Sequence, residues 1–186
     1  MNSPLLETGA DAMTCAPNRY GRIARLLHWS SAVLIVVLIG SGFGAAFSNE
    51  AASKMTALRV HLPVAFLVFV LTIIRLVWWR IDKKPAPISG GPAWQRVAAD
   101  WTHRALYLAL IVMLGSGIAL SLMTSLPPAL FGGAAMPDLS GLAPRIAHGI
   151  AGLVLVALII LHLAASLYHQ FIVRDETLAR MWPGRD

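Results

Sequence analysis

Two histidines in one apolar segment have the spacing of ligands on a single helix face. His148 and His162 are fourteen residues apart in the last long apolar stretch of the chain. Fourteen residues are just under four helical turns, so the two imidazoles face the same way and lie about 21 Å apart along the axis. Histidine is costly to place in hydrocarbon, so an aligned pair indicates two ligand levels, one near each membrane face.

The composition predicts a membrane protein whose chemistry depends on histidine. Of the 186 residues, 57% are hydrophobic and 13% are charged, which is more apolar surface than a soluble domain of this length could bury. The single cysteine, Cys15, excludes internal disulfides, Cys-rich zinc sites and iron–sulfur clusters, and there is no Cys-x-x-Cys-His motif for c-type haem. Any cofactor must therefore be held mainly by histidine.

Four segments are long and apolar enough to cross a bilayer, which takes about twenty residues. We predict spans at about residues 26–49, 60–79, 105–126 and 146–173, within one four-helix transmembrane domain over residues 19–186. Residues 1–18 contain Glu7 and Asp11 and lack a basic start followed by an apolar run. We interpret them as a flexible cytoplasmic leader and not as a secretory signal.

The basic residues predict the orientation of this all-α bundle. Four crossings place both termini on one side. The leader, the second-to-third connection with its flanks, and the tail hold twelve of the fifteen Lys and Arg. The other two connections hold only Lys54, Arg59 and Arg145. This bias predicts that both termini are cytoplasmic, so the net charge of +6 reflects topology and not nucleic-acid binding. Five tryptophans fall near the same interface, as in an aromatic belt: Trp29, Trp78, Trp79, Trp94 and Trp101.

The predicted topology sorts the histidines into two levels. His61 and His148 open the second and fourth spans on the outer side, and they form the outer level. The inner level contains four histidines: His28, His103, His162 and His169. Two levels that each supply opposed imidazoles from different helices are what two haems with histidine on both faces of the iron would require. On this reasoning the outer pair is determined, whereas several inner pairs remain open.

Three arginines could bind the propionates of such haems. Arg25 and Arg145 each precede a histidine by three residues, which places them on roughly the same helix face as His28 and His148. Arg75 is an intramembrane cation that either extends to the inner surface or pairs with a carboxylate, for which we expect a propionate of the inner haem.

Four segments carry a resemblance to a known family. They are LLHW (26–29), HLPVAFLVFVLTIIRLVWWR (61–80), WQRVAADWTHRALYLAL (94–110) and HGIAGLVLVALIILHLAASLYHQFIVRDETLARMWP (148–183). In this order and spacing, from about Arg19 to the end of the chain, the sequence resembles the bacterial di-haem cytochrome b561 family. The resemblance implies four helices, two haems b and location in the bacterial inner membrane.

The resemblance also implies which histidines pair. His28 and His162 would be the axial iron ligands of the cytoplasmic-side haem, and His61 and His148 those of the periplasmic-side haem. Family members commonly have glycine four residues after the second-span ligand, where this chain has Ala65, and Pro63 is also unusual there. These changes could tilt the outer haem or tighten its pocket.

Two histidines are left for other roles. Relatives that exchange electrons with quinone suggest a ubiquinone or menaquinone site at the inner face, with His169 as proton carrier. The alternative for His169 is an interfacial histidine bonded to a backbone carbonyl or a propionate. For His103 we favour this structural role.

We therefore predict a protein that transfers electrons across the lipid bilayer between quinone and a periplasmic partner, such as superoxide or a small redox protein. The alternative is a cytochrome b membrane-anchor subunit of a larger dehydrogenase or hydrogenase complex. Few intramembrane carboxylates are available for a transporter or a zinc-binding protein. A homodimer, the direction of electron flow and the outer partner are left open by the sequence.

Overall fold

The computed structural model describes residues 15–16 as backbone, and residues 19–82, 85–86 and 92–184. The predicted leader, residues 1–18, lies outside these ranges apart from Cys15–Ala16. That short strand, β1, pairs antiparallel with β2, Arg19–Tyr20.

Helices make up most of the described chain. They are α1 (Arg22–Phe47), α2 (Ala51–Ile81), α3 (Ala93–Met123), α4 (Leu126–Phe131) and α5 (Ala143–Tyr168), which continues as a π-helical turn, His169–Val173.

Four of the described helices are long and apolar enough to cross a membrane: α1, α2, α3, and α5 with its π-helical turn. They contain 26 to 31 residues, so they measure about 39 to 46 Å and exceed a hydrocarbon core of about 30 Å. Hydrocarbon offers no partner to a backbone amide, so an apolar segment must satisfy its hydrogen bonds internally as a helix. The predicted four-helix membrane bundle is confirmed.

The bundle is built from two helix pairs. The short connection Ser48–Glu50 folds α2 back against α1, and α3 packs in the same way against α5. Between the two pairs, the described backbones approach each other at few points. The histidine-bearing faces of the two pairs can therefore lie apart, with side chains or a flat cofactor between them.

An apolar layer holds the two pairs together at mid-height. Its buried members come from three helices: Val68 on α2, Ala109 and Leu110 on α3, and Leu155 on α5. Half-buried residues of α1, including Leu34 and Leu38, complete the layer. In sequence this layer lies between the histidines of the two levels, so it separates them with low-dielectric packing.

The connection between α3 and α5 contacts the N-terminal part of α2. Pro127 and Pro128 stand at the start of α4, where proline's missing amide costs nothing. The guanidinium of Arg59 donates from Nε to the carbonyl of Leu130 at 2.8 Å, and Leu130 is fully buried.

Helix α2 runs through Pro63 without interruption. This proline cannot donate to the carbonyl of Arg59, four residues earlier.

The two ends of the described chain meet at the other end of the bundle. The amide of Tyr20 donates to the carbonyl of Arg180 at 3.2 Å. The indole of Trp29 donates to the carbonyl of Met181 at 2.8 Å, and its ring contacts that of Trp182 with centroids 5.4 Å apart. Both ends therefore lie on the same side of the bundle, whichever face of the membrane that is.

Candidate functional site

The outer level brings together the two histidines expected there. His61 on α2 and His148 on α5 have ring centroids 6.2 Å apart and planes inclined at 68°. They belong to different helix pairs, so they face each other across the gap between the pairs. This is the arrangement that two axial ligands on opposite faces of one iron require.

Each outer histidine is bonded to a serine on the neighbouring helix of its own pair. Ser41 Oγ of α1 lies 3.0 Å from His61 Nδ1, and Ser116 Oγ of α3 lies 3.0 Å from His148 Nδ1. His148 Nδ1 also lies 3.1 Å from the carbonyl oxygen of Met113. These contacts set the orientation of both rings.

Glycine beside each serine gives the imidazole its space. A Cβ atom at Gly42 would stand 3.2 Å from Cε1 of His61, and one at Gly117 would stand 3.5 Å from Cε1 of His148. By contrast, a Cβ at Gly40 or Gly115 would meet no atom within 4 Å. A Cβ at Gly42 would therefore press on its imidazole, one at Gly117 would make an ordinary van der Waals contact, and the other two positions have open space.

The inner level contains a cluster of three imidazoles. His28 on α1 and His162 on α5 have centroids 6.4 Å apart with planes at 61°, and His103 on α3 has its centroid 5.3 Å from that of His162. Arg75 of α2 extends into this cluster, with Nη2 3.4 Å from His28 Nδ1. Its guanidinium also lies over the ring of Tyr107, 5.6 Å from the centroid.

The ring spacings can be compared with those of haem ligation. An imidazole nitrogen binds a first-row metal at about 2 Å and lies about 1 Å from its ring centroid, so two axial imidazoles have centroids roughly 6 Å apart. The pairs His61–His148 and His28–His162, at 6.2 and 6.4 Å, fit this spacing. The 5.3 Å between His103 and His162 is shorter. His28 faces His162 from the other helix pair, whereas His103 belongs to the same pair as His162. The pairing of His28 with His162 stays a prediction.

Comparison with known proteins decides which family this constellation belongs to. The sequence profile of the family described as prokaryotic cytochrome b561 matches residues 19–184, which is nearly the whole described chain. The chain belongs to the prokaryotic cytochrome b561 family. It is thus a multi-pass bacterial membrane protein of a family that binds haem b and transfers electrons across the membrane.

Two proteins of Escherichia coli strain K12 are similar to this cytochrome b561 family member over most of their length. Cytochrome b561 homolog 2 is 29% identical over 181 residues, which cover 91% of this chain and 94% of the relative. Cytochrome b561 homolog 1 is 26% identical over 175 residues, which cover 90% of this chain and 99% of the relative.

The three arginines expected at haem propionates lie in different surroundings. Arg75 is in the inner cluster. Arg25 is only 5% exposed, and its Nη1 donates to the carbonyl of Trp182 at 3.2 Å, so it contacts the C-terminal segment. Arg145 stands in the first turn of α5, and its Nη1 atom would lie 3.4 Å from a Cβ added at Gly149. Arg75 contacts His28, and Arg145 lies near enough to His148 to interact with it electrostatically. The propionate roles of all three arginines stay predictions.

His169 has a specific acidic partner that the sequence analysis did not find. Its Nδ1 lies 2.6 Å from Oδ2 of Asp175. The π-helical turn begins at His169, and Arg174 adopts a left-handed conformation with φ of 58°, which returns Asp175 toward the helix end. Burial alone would raise the pKa of Asp175, but hydrogen bonds from Thr177 and His169 outweigh it and hold the pKa below the usual 3.8.

Ser41 and Ser116 are the other site residues that the sequence analysis missed. Both stand in the middle of a Gly-Ser-Gly triplet, and these triplets occupy equivalent places in α1 and α3. Repetition of the triplet was the signal that could have identified them.

Proposed function

We propose that this cytochrome binds two haems b and transfers electrons between a partner at the outer face and quinone at the inner face. One haem would be held by His61 and His148, the other by His28 and His162. The observation that carries the proposal is the pair of opposed imidazole contacts, at 6.2 and 6.4 Å, on either side of one apolar layer.

Bound haem would supply one-electron redox chemistry, and the residues of the chain would determine where it occurs. Histidine on both iron faces leaves no open coordination position, which favours electron exchange over oxygen binding. The layer around Val68 and Leu155 excludes water between the levels. The protein thus fixes the two positions and their dielectric surroundings.

His169 and Asp175 support a quinone site at the inner face. Quinone reduction consumes protons, and an imidazole is suited to deliver them near neutral pH. The carboxylate of Asp175, 2.6 Å from Nδ1, would hold the ring so that Nε2 serves a quinone oxygen. The same pair fits ubiquinone and menaquinone.

The basic outer connections support an anionic or acidic outer partner. Lys54, Arg59 and Arg145 lie on the side to which we assign the periplasm. A local positive potential would attract superoxide or an acidic redox protein. Arg59 already bonds the carbonyl of Leu130, so Lys54 and Arg145 are the better candidates for this role.

The proposed orientation of the protein in the membrane rests on the distribution of basic residues. The twelve-to-three distribution of Lys and Arg supports an orientation with both termini in the cytoplasm, in a bacterial inner membrane. The contact between Tyr20 and Arg180 supports a common side for the two ends. A reporter enzyme that works only in the periplasm, fused after Asp186, should be inactive. Fused into the connection between α3 and α5, it should be active.

Reduction of the purified full-length protein by ubiquinol tests the function. We expect b-type absorption bands that ubiquinol reduces, and a His169→Gln variant that dithionite reduces fully but ubiquinol reduces slowly. His103→Gln is the matched control and should behave as wild type. Bands that dithionite reduces and ubiquinol leaves oxidised would contradict the quinone assignment. Co-purification with a large redox subunit needed for reduction would favour the membrane-anchor alternative.

A further inference from the structure

The two helix pairs repeat the same arrangement of polar residues. In α1, His28 precedes the triplet Gly40–Gly42 by twelve residues, and in α3, His103 precedes Gly115–Gly117 by the same twelve. In α2, Arg75 follows His61 by fourteen residues, and in α5, His162 follows His148 by fourteen. At these positions the two pairs are therefore equivalent, except that α2 has Arg75 where α5 has His162.

The serine of each triplet uses its only hydrogen within its own helix. Ser41 Oγ donates to the carbonyl of Val37 at 2.8 Å, and Ser116 Oγ donates to that of Met113 at 2.9 Å. A hydroxyl carries one hydrogen and two acceptor sites. Each serine oxygen is therefore left to accept a hydrogen bond from the imidazole 3.0 Å away.

Backbone carbonyls independently identify the protonated ring nitrogen. His148 Nδ1 lies 3.1 Å from the oxygen of Met113, which can only accept. His61 makes the corresponding backbone hydrogen bond to Leu38, which holds the same place in α1 as Met113 in α3. Both rings therefore carry their proton on Nδ1, and Nε2 keeps a free lone pair.

At the inner level the group beside a histidine Nδ1 atom is a hydrogen-bond donor and not an acceptor. The group beside His28 Nδ1 is the guanidinium of Arg75, at 3.4 Å, which has five donors, no acceptor and a permanent positive charge. An acceptor at Nδ1 increases the electron donation of the imidazole to a metal and stabilises the oxidised state. A nearby cation destabilises that state by Coulomb repulsion.

We propose that Ser41 and Ser116 are positioning residues that fix the outer histidines in the Nδ1-protonated form and lower the reduction potential of the outer haem below that of the inner haem. This rests on the assignment of two haems under Proposed function. The serines act through His61 and His148 and do not touch the iron. Because one serine lies in each helix pair, both histidines of the outer haem would receive the same hydrogen bond.

Redox titration of the full-length protein, followed by absorption and electron paramagnetic resonance, tests the proposal. Ser41→Ala and Ser116→Ala should each shift the outer-haem potential upward, and the double variant should shift it further, while the inner potential stays unchanged. Ser→Thr at either position keeps the hydroxyl and should restore the wild-type value. Arg75→Gln should lower the inner potential and leave the outer one unchanged.

Thr72→Val is the matched control. It removes a buried hydroxyl that donates to the carbonyl of Val68 within α2, at 2.7 Å, and it should leave the outer potential unchanged. If an alanine variant loses the outer haem, Ser→Cys replaces it, since a thiol is a weak acceptor of similar size and should give a smaller upward shift.

The outcomes separate this proposal from the one it rests on. Alanine or cysteine variants that retain two haems with an outer potential equal to that of Thr72→Val would overturn the role of the serines and leave the haem assignment intact. A single haem in the wild-type protein would overturn both.

Discussion

The outer and inner levels each contain an opposed pair of histidines, in different surroundings. At the outer level His61 and His148 lie beside glycine and serine, and hydroxyl or carbonyl oxygens lie within hydrogen-bond distance of their Nδ1 atoms. At the inner level His28 and His162 share their cluster with a third imidazole and the guanidinium of Arg75. The spacing of each opposed pair is nearly equal, so the difference lies in charge and hydrogen bonding, which adjust a cofactor without changing its ligands.

Removal of one ligand per level should have the largest effect. His61→Ala should remove the outer haem and His28→Ala the inner one, so that each variant retains one haem per chain and the remaining spectrum identifies the level. Haem extraction with protein quantification measures this. His103→Ala is the control and should retain both haems, because its centroid lies 5.3 Å from that of His162, which is shorter than axial ligands require. Loss of the inner haem in His103→Ala, and not in His28→Ala, would reverse the inner assignment.

The proton-carrying role should belong to the inner level alone. His169→Gln should reduce the rate of quinol oxidation roughly 100-fold, the usual size of a general acid–base contribution. Asp175→Asn should reduce it about tenfold, because it removes only the group that orients the ring. Stopped-flow absorption measures both rates. Unchanged quinol rates in both variants would remove His169 and Asp175 from the inner site.

Glycine substitutions at the outer level should rank by the space that is available beside each imidazole. Gly42→Ala places a Cβ 3.2 Å from His61 Cε1, which forces the ring to shift, and we expect about 1 to 3 kcal/mol of overpacking cost and weaker retention of the outer haem. Gly117→Ala, at 3.5 Å, should have a smaller effect. Gly40→Ala and Gly115→Ala are matched controls with open space. Thermal release of haem, followed at the Soret band, should rank the variants in this order, and a uniform response would contradict it.

The smallest expected effect is the pH dependence of the inner end. Because the folded pKa of Asp175 lies below its usual 3.8, the carboxylate contributes stability above that value, and the contribution is lost as the pH falls through the lower folded pKa. Wild type should therefore exceed Asp175→Asn in thermal stability by up to about 1 kcal/mol near pH 7, a surface-pair magnitude. The difference should disappear as the pH falls through the folded pKa of Asp175. A difference independent of pH would show that the charge of Asp175 is not involved.

The sequence predicted the parts of this molecule that follow from helix periodicity and hydropathy. Spacing and topology identified His61 and His148 as the outer pair, and the structure brings them together. For the inner level the same reasoning left several pairs open, and only the resemblance selected His28 with His162. Depth cannot separate His28 from His103, because both stand near the start of equivalent helices. The structure brings both His28 and His103 to His162, so the choice of His28 stays a prediction.

The contacts that periodicity missed depend on local departures from regular helix. In a continuous α-helix, residues six apart point to different faces, so His169 and Asp175 would not meet. The π-helical turn and the left-handed Arg174 bring them to 2.6 Å. Arg25 was expected at a propionate, but the returning C-terminal segment supplies the carbonyl of Trp182 to it. No apolar pattern in the sequence signals that return.

The haem content of the purified wild-type chain is the decisive test of whether two opposed histidine pairs each hold a haem. Quantitative haem extraction, with protein determined by amino-acid analysis and ligation by electron paramagnetic resonance, should give two b-type haems per chain. Both should be low-spin, as expected when histidine occupies each axial position. One haem per chain, or a second haem in a high-spin form with an open coordination position, would contradict two opposed histidine pairs.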